Sequence, residues 1–299
     1  MFRCYFIVKK DEPTTVNIHT LALLPLGWIF KRIFNAKLVY DTHELETEKN
    51  GLQGLRKGFS KFIEYIFIRQ CDLVIVVGEN IANWYESTYG INRPSVVKNS
   101  PRLREKNKGN LLRDLLSISN EQKILLYQGS LMKGRGIELL LNALKARKDN
   151  AVVAVFMGYG DLSSQLMKEA HNHTNIFYFS AVSPEVLLDY TASADIGISI
   201  IENTCLSYFF CMPNKLFEYA MAGLPVIVSN MKEMAEEVQN ADFGIVLTDY
   251  SIEAINYAID RLLSQDLARF SKNAYQFAKT NSWEQQELKL IEAYELIIQ

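Results

Sequence analysis

Short apolar runs alternate with amphipathic segments along almost the whole chain. Several of the apolar runs, for example 72–77 and 152–157, have no polar face, which is typical of strands buried on both sides of a parallel sheet. The segments between them, for example Glu79–Tyr89, space their apolar residues as helices do. The pattern predicts strands at 37–41, 72–77, 95–98, 123–128, 152–157, 176–179, 196–200, 225–228 and 244–247. It predicts helices at 52–70, 79–89, 137–147, 162–171, 184–192, 215–222 and 232–240, and further helices after 247.

The alternation occurs in two series, which predicts an α/β fold with a doubly wound parallel sheet in each of two domains. A polar stretch at 99–110 separates the series. We therefore expect an N-terminal domain at 1–100, a second domain at 101–282 and a C-terminal helix at 283–299. The sequence leaves open whether this last helix packs on the second domain or returns to the first. Its apolar residues at helical spacing are Leu288, Ile291, Tyr294 and Ile298.

The composition is that of a folded globular protein, since 48% of the 299 residues are hydrophobic and the formal net charge is −2. This charge gives no bias toward nucleic acid, so no nucleic-acid partner is expected. The four cysteines form no C-x-x-C pair, which favours a reduced, cytoplasmic protein over a disulfide framework or a zinc site. The longest apolar run, 21–30, is half the length of about twenty residues that a membrane-spanning helix needs. Segment 1–10 is not expected to be a signal peptide.

The loop after the strand at 123–128 combines glycine with positive charge. Glycine lets the backbone approach a ligand, the N-terminus of the next helix supplies N–H donors, and two cations suit a phosphate. The segment is not a G-x-x-x-x-G-K-[ST] loop, so an ordinary strand–helix turn is the alternative interpretation. The residues concerned are Gly129, Ser130, Lys133, Arg135 and Gly136.

The loop after 152–157 begins with Gly158, Tyr159 and Gly160. This G-x-G suggests the close approach of a base or ribose. However, Ser163 stands where a dinucleotide fingerprint has its third glycine, which favours a simple turn.

The most specific stretch of the chain is 213–228, PNKLFEYAMAGLPVIV, which predicts a helix followed by a buried strand. Asn214 resembles a helix N-cap, and Lys215, Leu216 and Glu218 follow it. A carboxylate near a helix N-terminus is stabilised by the helix dipole. A carboxylate also accepts hydrogen bonds from two neighbouring ribose hydroxyls, so both interpretations of Glu218 stay open.

A histidine, His43, follows the strand at 37–41 in the segment DTHE. A lone histidine at a strand end is more often structural than catalytic, and its role is left open at this point. The sequence contains no H-E-x-x-H, no G-x-S-x-G and no acidic metal cluster. We interpret the other histidines as having no catalytic role, namely His19, His171 and His173.

Together these motifs resemble the GT-B retaining glycosyltransferases of family GT4, over essentially the whole chain. The block 213–228 is the most specific part of the resemblance, and the other motifs follow in the family's order. The resemblance implies two Rossmann-like domains that face each other across a cleft, the second of which binds a UDP- or GDP-linked sugar donor. It implies no metal or other cofactor, because fixed cations and helix N–H groups can stabilise the leaving diphosphate.

The resemblance also implies roles for individual residues. Arg135 lies where the family has its diphosphate-binding lysine, and Lys133 shares this role. Glu218 matches the glutamate that binds the ribose hydroxyls, and His43 matches a residue that contacts the donor sugar near the reacting carbon. The catalytic set is thus His43, Arg135 and Lys133. The donor-binding residues are Gly129, Ser130, Gly136, Gly158, Tyr159, Gly160, Asn214, Lys215, Leu216 and Glu218.

The chain departs from the family pattern in two places. Phe210 stands where the family's E-x7-E motif has its first glutamate, which weakens the expected contact with the donor sugar. The segment from Thr15 already resembles the middle of the family's N-terminal domain, and 1–10 supplies at most one strand. The N-terminal, acceptor-side domain is therefore expected to lack its first βαβ portion.

The predicted helix at 52–70 mixes aromatic and basic residues. We interpret its apolar face as packed on the core; the alternative is an interfacial helix near a lipid-linked acceptor on an anionic membrane surface. The apolar residues are Leu55, Phe59, Phe62, Ile63, Ile66 and Phe67, and the cations are Arg56, Lys57, Lys61 and Arg69.

We therefore expect a cytoplasmic glycosyltransferase of polysaccharide or glycoconjugate biosynthesis, with peripheral membrane contact as a further expectation. Its acceptor would be a saccharide or a lipid-linked molecule. The alternative is a catalytically inactive or regulatory homologue that binds nucleotide-sugar or a partner subunit. A GT-B epimerase and an NAD dehydrogenase are less favoured, because the epimerase carboxylates and the dinucleotide fingerprint have no counterpart.

Overall fold

The computed structural model describes residues 13–105 and 108–298. The strand expected within 1–10 lies outside the described residues. The chain forms two compact units. Unit 1 comprises Met1–Asn99, Cys205–Cys211 and Trp283–Gln299, and unit 2 comprises Ser100–Thr204 and Met212–Ser282. Segment 205–211 thus clusters with unit 1, although the expected span of the second domain included it.

The strands, in chain order, are β1 (Thr15–Ile18), β2 (Lys37–Thr42), β3 (Leu73–Val76), β4 (Ser95–Val96), β5 (Lys123–Ser130), β6 (Val152–Tyr159), β7 (Ile176–Ser180), β8 (Ile196–Ser199), β9 (Val226–Val228) and β10 (Gly244–Val246). The α-helices are α1 (Leu24–Phe34), α2 (Gly54–Ile68), α3 (Glu79–Tyr89), α4 (Leu111–Leu116), α5 (Ile137–Ala146), α6 (Ser163–Asn172), α7 (Pro184–Thr191), α8 (Leu206–Phe209), α9 (Asn214–Met221), α10 (Lys232–Asn240), α11 (Ile252–Leu263), α12 (Leu267–Thr280) and α13 (Trp283–Ile298). Short 3₁₀ turns occur at Leu21–Leu23 and Glu46–Glu48.

Unit 1 contains a four-stranded parallel sheet in the order β1-β2-β3-β4. Side chains alternate across its central strands: Leu38 and Tyr40 of β2 face one core cluster, whereas Val39 faces another. Strand β1 was not predicted. Phe210 of the segment 205–211 packs against the first of these clusters, so its apolar side chain has a structural use in this unit.

Helix α13 packs on unit 1, which answers the question that the sequence left open. Leu290, Tyr294 and Ile297 contact the cluster around Val39 and Ile75. The predicted stripe is wrong in detail, because the packing face is rotated relative to it. Three of its four residues are exposed, namely Leu288, Ile291 and Ile298.

Helix α2 packs on unit 1 through a buried carboxylate and leaves an apolar face in solvent. Glu64 is fully buried, and Ile68 lies one turn further along the same side. Leu55 is nine residues before Glu64, so at 3.6 residues per turn it lies about 180° around the helix from that carboxylate. The core-facing interpretation is therefore wrong for four of the six apolar residues, which are exposed: Leu55, Phe59, Phe62 and Ile66. Within the described ranges, no helix has both the length and the apolarity that crossing a bilayer requires.

Unit 2 contains a six-stranded parallel sheet in the order β10-β9-β8-β5-β6-β7. The chain proceeds outward from β5 in one direction through β6 and β7 and then returns to β8 on the other side of β5. The carboxyl ends of β5 and β8 are thus a topological switch point, the place where ligands bind in open α/β sheets. The core beneath this edge is one continuous cluster of aliphatic and aromatic residues, which includes Leu125, Phe156 and Phe270.

Candidate functional site

The predicted donor-binding residues of unit 2 lie on the loops at the carboxyl end of its sheet. Gly129 and Ser130 end β5, and Gly158 and Tyr159 end β6 beside them in register. Helix α9 begins after β8 and its following loop, on the same edge. The fold therefore brings together three segments that lie far apart in sequence.

Glycines 158 and 160 are required by the packing of one loop on the next. A Cβ at Gly158 would lie 1.8 Å from the carbonyl oxygen of Gly129, and one at Gly160 would lie 2.4 Å from that of Leu131. Gly160 also has a positive φ of 151°. Close approach of neighbouring backbone thus accounts for both glycines, although Gly158 is still part of β6 and pairs with Gly129. Tyr159 between them is exposed.

Gly136 also has a structural cause, at the start of α5. Its φ is 71°, and a Cβ there would lie 2.4 Å from the Cβ of Ile200. Gly129 differs, because its φ is 111° and the nearest atom to an added Cβ is the Cε of Lys215, at 3.7 Å. The space above Gly129 is therefore bounded by a flexible cation rather than by backbone.

Three cationic side chains belong to this edge. The Nζ of Lys215 lies 3.8 Å from the centroid of the Tyr127 ring, a cation–π contact. Burial raises the pKa of Tyr127, and the positive charge of Arg135 acts in the opposite direction. Lys133 is exposed on the intervening loop. The arrangement is suited to an anion, because ammonium and guanidinium groups bind phosphate oxygens.

Helix α9 is anchored to the sheet by a buried tyrosine. The hydroxyl of Tyr219 donates to the carbonyl of Leu126 at 2.9 Å and accepts from the N–H of Gln128 at 3.0 Å. Gly197 makes room for the ring, because a Cβ there would lie 2.4 Å from the Cγ of Tyr219. Leu216 is also fully buried, so its side chain serves packing. Pro213 is the N-cap and Asn214 is the first helical residue, which corrects the predicted N-cap.

Glu218 is held by a hydrogen-bonded chain that the sequence did not reveal. The Nε2 of Gln128 donates to the Oε2 of Glu218 at 2.5 Å, and the Oε1 of Gln128 accepts from the hydroxyl of Thr191 at 2.8 Å. Gln128 is buried near the carboxyl end of β5, directly after the apolar run 124–127. The sequence signal that could have identified Gln128 is a polar residue that follows an apolar strand segment and immediately precedes a glycine.

The carboxylate of Glu218 lines a pocket of about 250 Å³ together with Arg102, Arg104 and Thr191. Burial raises the pKa of Glu218, and the hydrogen bond from Gln128 and the charge of Lys215 oppose this shift. Within the described part of the chain, Oε2 is hydrogen-bonded and Oε1 has no protein partner. A ligand hydroxyl that reached Oε1 would find an acceptor of fixed orientation.

His43 belongs to unit 1 and is not part of this edge. Its Nε2 lies 3.8 Å from one carboxylate oxygen of Asp41, and the Nδ1 of His19 lies 3.3 Å from the other. The predicted set of thirteen residues is thus divided, twelve in unit 2 and His43 in unit 1. The grouping of His43 with His19 was not foreseen, since His19 is 24 residues earlier in the chain.

Two parallel sheets with helices on their faces, and a cationic edge at a switch point, define an α/β protein of the GT-B type. The chain belongs to the family described as Glycosyl transferases group 1, whose model matches residues 111–277. A second model, Glycosyltransferase Family 4, matches residues 1–100. The resemblance to family GT4 is thereby confirmed, as is the predicted fold class.

Individual proteins agree with this assignment. An uncharacterized glycosyltransferase of Methanocaldococcus jannaschii, MJ1607, is 23% identical over 276 residues, which cover 86% of this chain and 68% of the relative. Sucrose-phosphate synthase from Thermosynechococcus elongatus matches with a TM-score of 0.81 at 18% identity, over 99% of this chain and 76% of its own. HepE of Anabaena, solved in complex with UDP, matches with a TM-score of 0.75 at 16% identity, over 94% of this chain and 78% of its own.

Proposed function

We propose that this glycosyltransferase moves a sugar from a nucleotide-diphospho-sugar to a saccharide or lipid-linked acceptor, in the cytoplasm and with retention of configuration. The observation that carries the proposal is Glu218, one turn into α9, whose carboxylate is oriented by Gln128 beside the cations of the β5 edge. HepE, a protein of the same fold, has been solved with UDP and with UDP-glucose.

In the proposed complex, the ribose hydroxyls donate to Glu218 and the diphosphate lies against Lys215, Arg135 and Lys133. The acceptor hydroxyl forms a bond to the anomeric carbon as the bond from that carbon to the diphosphate breaks. The proton of the hydroxyl passes to the leaving diphosphate oxygen. Fixed cations stabilise the negative charge that develops there, so the reaction proceeds without a metal. The contact of His43 with the donor sugar remains a prediction from the resemblance.

The test measures binding of UDP and GDP by calorimetry. Glu218→Ala and Arg135→Ala each remove a charged partner of the ligand, which should weaken binding by about tenfold to hundredfold. Glu121→Ala and Lys148→Ala are matched controls, because both side chains are exposed and far from this edge in the fold. Unchanged affinity in both site variants would remove the basis of the proposal. Binding without sugar transfer to any acceptor would instead favour the inactive, nucleotide-sugar-binding homologue.

We further propose that the exposed face of α2 lies against an anionic membrane surface. Its stripe places Leu55, Phe59 and Phe62 in solvent, with exposed fractions of 94%, 67% and 59%. Arg56 and Lys61 flank the stripe and are exposed as well. An apolar stripe bordered by cations is typical of helices that bind at the lipid headgroup level.

Sedimentation with vesicles tests this contact. We expect the protein to bind vesicles that contain phosphatidylglycerol more strongly than vesicles of phosphatidylcholine alone. The triple change Leu55→Ser, Phe59→Ser and Phe62→Ser should abolish binding. The matched control is Leu288→Ser with Leu296→Ser on α13, which also removes exposed leucines. Equal binding of the triple variant and the control would contradict the proposal.

A further inference from the structure

Two imidazoles and a carboxylate converge at the carboxyl end of the sheet in unit 1. The ligand atoms of His19, Asp41 and His43 all lie within 4.8 Å of one another. The centroids of the two imidazole rings are 6.0 Å apart. Asp41 lies between the rings, with one oxygen toward each.

The strand register produces this convergence. Strands β1 and β2 are parallel, and Ile18 pairs with Tyr40. The next residue of each chain segment, His19 and Asp41, therefore lies at the same level of the sheet edge. His43 follows the last residue of β2, Thr42, in a bend that keeps its ring beside Asp41. The triad is thus a consequence of the fold and cannot be read from any local motif.

We infer that His19, Asp41 and His43 bind a divalent transition-metal ion such as Zn²⁺, Co²⁺ or Ni²⁺. Two imidazole nitrogens and one carboxylate oxygen are ligands that suit these ions better than Mg²⁺ or Ca²⁺, which prefer oxygen alone. Three protein ligands leave at least one coordination position to water.

The geometry is close to what such an ion needs. Metal–ligand bonds of about 2.0–2.1 Å in a tetrahedral site place the ligand atoms roughly 3.3–3.5 Å apart. The 3.3 Å between His19 Nδ1 and Asp41 Oδ2 already fits. The 3.8 Å from His43 Nε2 runs to the other oxygen, Oδ1, so the His43 ring has to turn toward the oxygen that binds the ion. The side chains of His19 and His43 are 57% and 50% exposed, so both rings are free to turn toward an ion, whereas Asp41 is 18% exposed and more constrained.

His43 also belongs to the predicted catalytic set, but the inference is tested separately from the proposed sugar transfer, because metal binding is measured without a sugar nucleotide. The full chain is freed of metal by chelator, and Co²⁺ is then titrated in while its visible d–d absorption is followed. We expect one equivalent to bind. His19→Ala should weaken binding by at least about tenfold, since it removes a direct ligand. Asp41→Asn should weaken it as well.

The chain supplies its own control, because it has four histidines and two of them lie outside the triad. The double change His171→Ala with His173→Ala should leave Co²⁺ affinity unchanged. Binding through cysteine would show sulfur-to-metal charge transfer in the near ultraviolet, which the triad does not produce. The inference is overturned if the wild type binds no Co²⁺, if the spectrum shows thiolate ligation, or if His19→Ala binds as tightly as the wild type. Each of these results would mean that Asp41 orients the two imidazole rings and that the three side chains hold no metal ion.

Discussion

Each unit of this protein contains a helical glutamate that accepts hydrogen bonds from protein donors, but Glu64 is fully buried whereas Glu218 is partly exposed. Glu64 of α2 accepts hydrogen bonds from four hydroxyls, and none of its surface is exposed. The donors are Tyr40, Tyr85, Tyr89 and Thr47. Glu218 of α9 has one donor within the described residues, Gln128, and it lines a pocket.

The difference shows that the same side chain serves packing in one unit, whereas in the other it suits the ligand-binding role proposed above. Burial raises the pKa of both carboxyl groups, so the pKa alone does not separate the two roles. What separates them is hydrogen-bond saturation: Glu64 is fully enclosed by protein donors, whereas Oε1 of Glu218 is left for another molecule. Glu218 is partly exposed, so a ligand hydroxyl that donates to Oε1 displaces no protein donor.

The strongest test of this comparison is removal of each carboxylate. Glu64→Ala leaves four hydroxyls without their acceptor and creates a cavity, so the free energy of unfolding should fall by about 3–5 kcal/mol. Glu218→Ala should cost about 1 kcal/mol or less. Urea denaturation measures both, and Glu64→Gln, which keeps an acceptor oxygen of similar size, is the control. Equal losses from the two alanine variants would break the comparison.

A second test concerns the orientation of Glu218. Gln128→Leu removes the donor to Oε2, and we expect UDP to bind about tenfold more weakly, which is a loss of about 1.4 kcal/mol. Calorimetry measures this change. The matched control is Gln165→Leu on the exposed face of α6, which should bind UDP as the wild type does. If both variants bind equally well, Gln128 has no positioning role.

A third test uses pH. The folded state holds a proton on Glu64 more tightly than the unfolded state does, because burial raises the pKa of this group above its usual value of 4.5. Above about pH 4.5 the unfolded state therefore binds fewer protons than the folded state does. The contribution of Glu64 to stability falls as pH rises, until Glu64 is ionised in both states. The unfolding free energy of the wild type, minus that of Glu64→Gln, should thus decrease with rising pH. A constant difference would mean that the pKa of Glu64 is not raised.

The smallest expected effect is a gain in stability. Glu218→Gln removes a charge that is partly desolvated and lacks full hydrogen bonding, so at neutral pH the variant should be more stable than the wild type by roughly 0.5 kcal/mol. Its UDP affinity should fall at the same time. Thermal melting with and without UDP measures both quantities. A loss of stability with unchanged affinity would mean that Glu218, like Glu64, serves the fold.

Much of the fold followed from local pattern. Helices Glu79–Tyr89 and Lys232–Asn240 have the predicted bounds, because amphipathic spacing and end signals are contained within the segment itself. The predicted bounds omit β1, α1, α4 and α8, and all of these except α1 have few residues. The four residues of Thr15–Ile18 form a strand because β2 supplies their hydrogen-bonding partner, and this information lies outside the segment.

The candidate site was predictable in its residues but not in its connections. Glu218 and the glycines were identified from their sequence context, whereas Gln128 was not, since its bond to Glu218 spans 90 residues. Gly160 follows β6 as predicted, whereas Gly158 still belongs to the strand. Only the structure shows that neighbouring carbonyl groups exclude a side chain at both positions.

Local sequence was enough to give the periodicity of each segment. That periodicity in turn gives the parallel α/β architecture and places the candidate residues of unit 2 at the carboxyl end of its sheet. The tertiary structure alone decided which face of α2 is buried, on which unit α13 packs, and that His19 lies beside Asp41. The physical reason is that backbone periodicity is set by neighbours along the chain. Burial, strand register and hydrogen-bond saturation are set instead by contacts between residues that are distant in sequence.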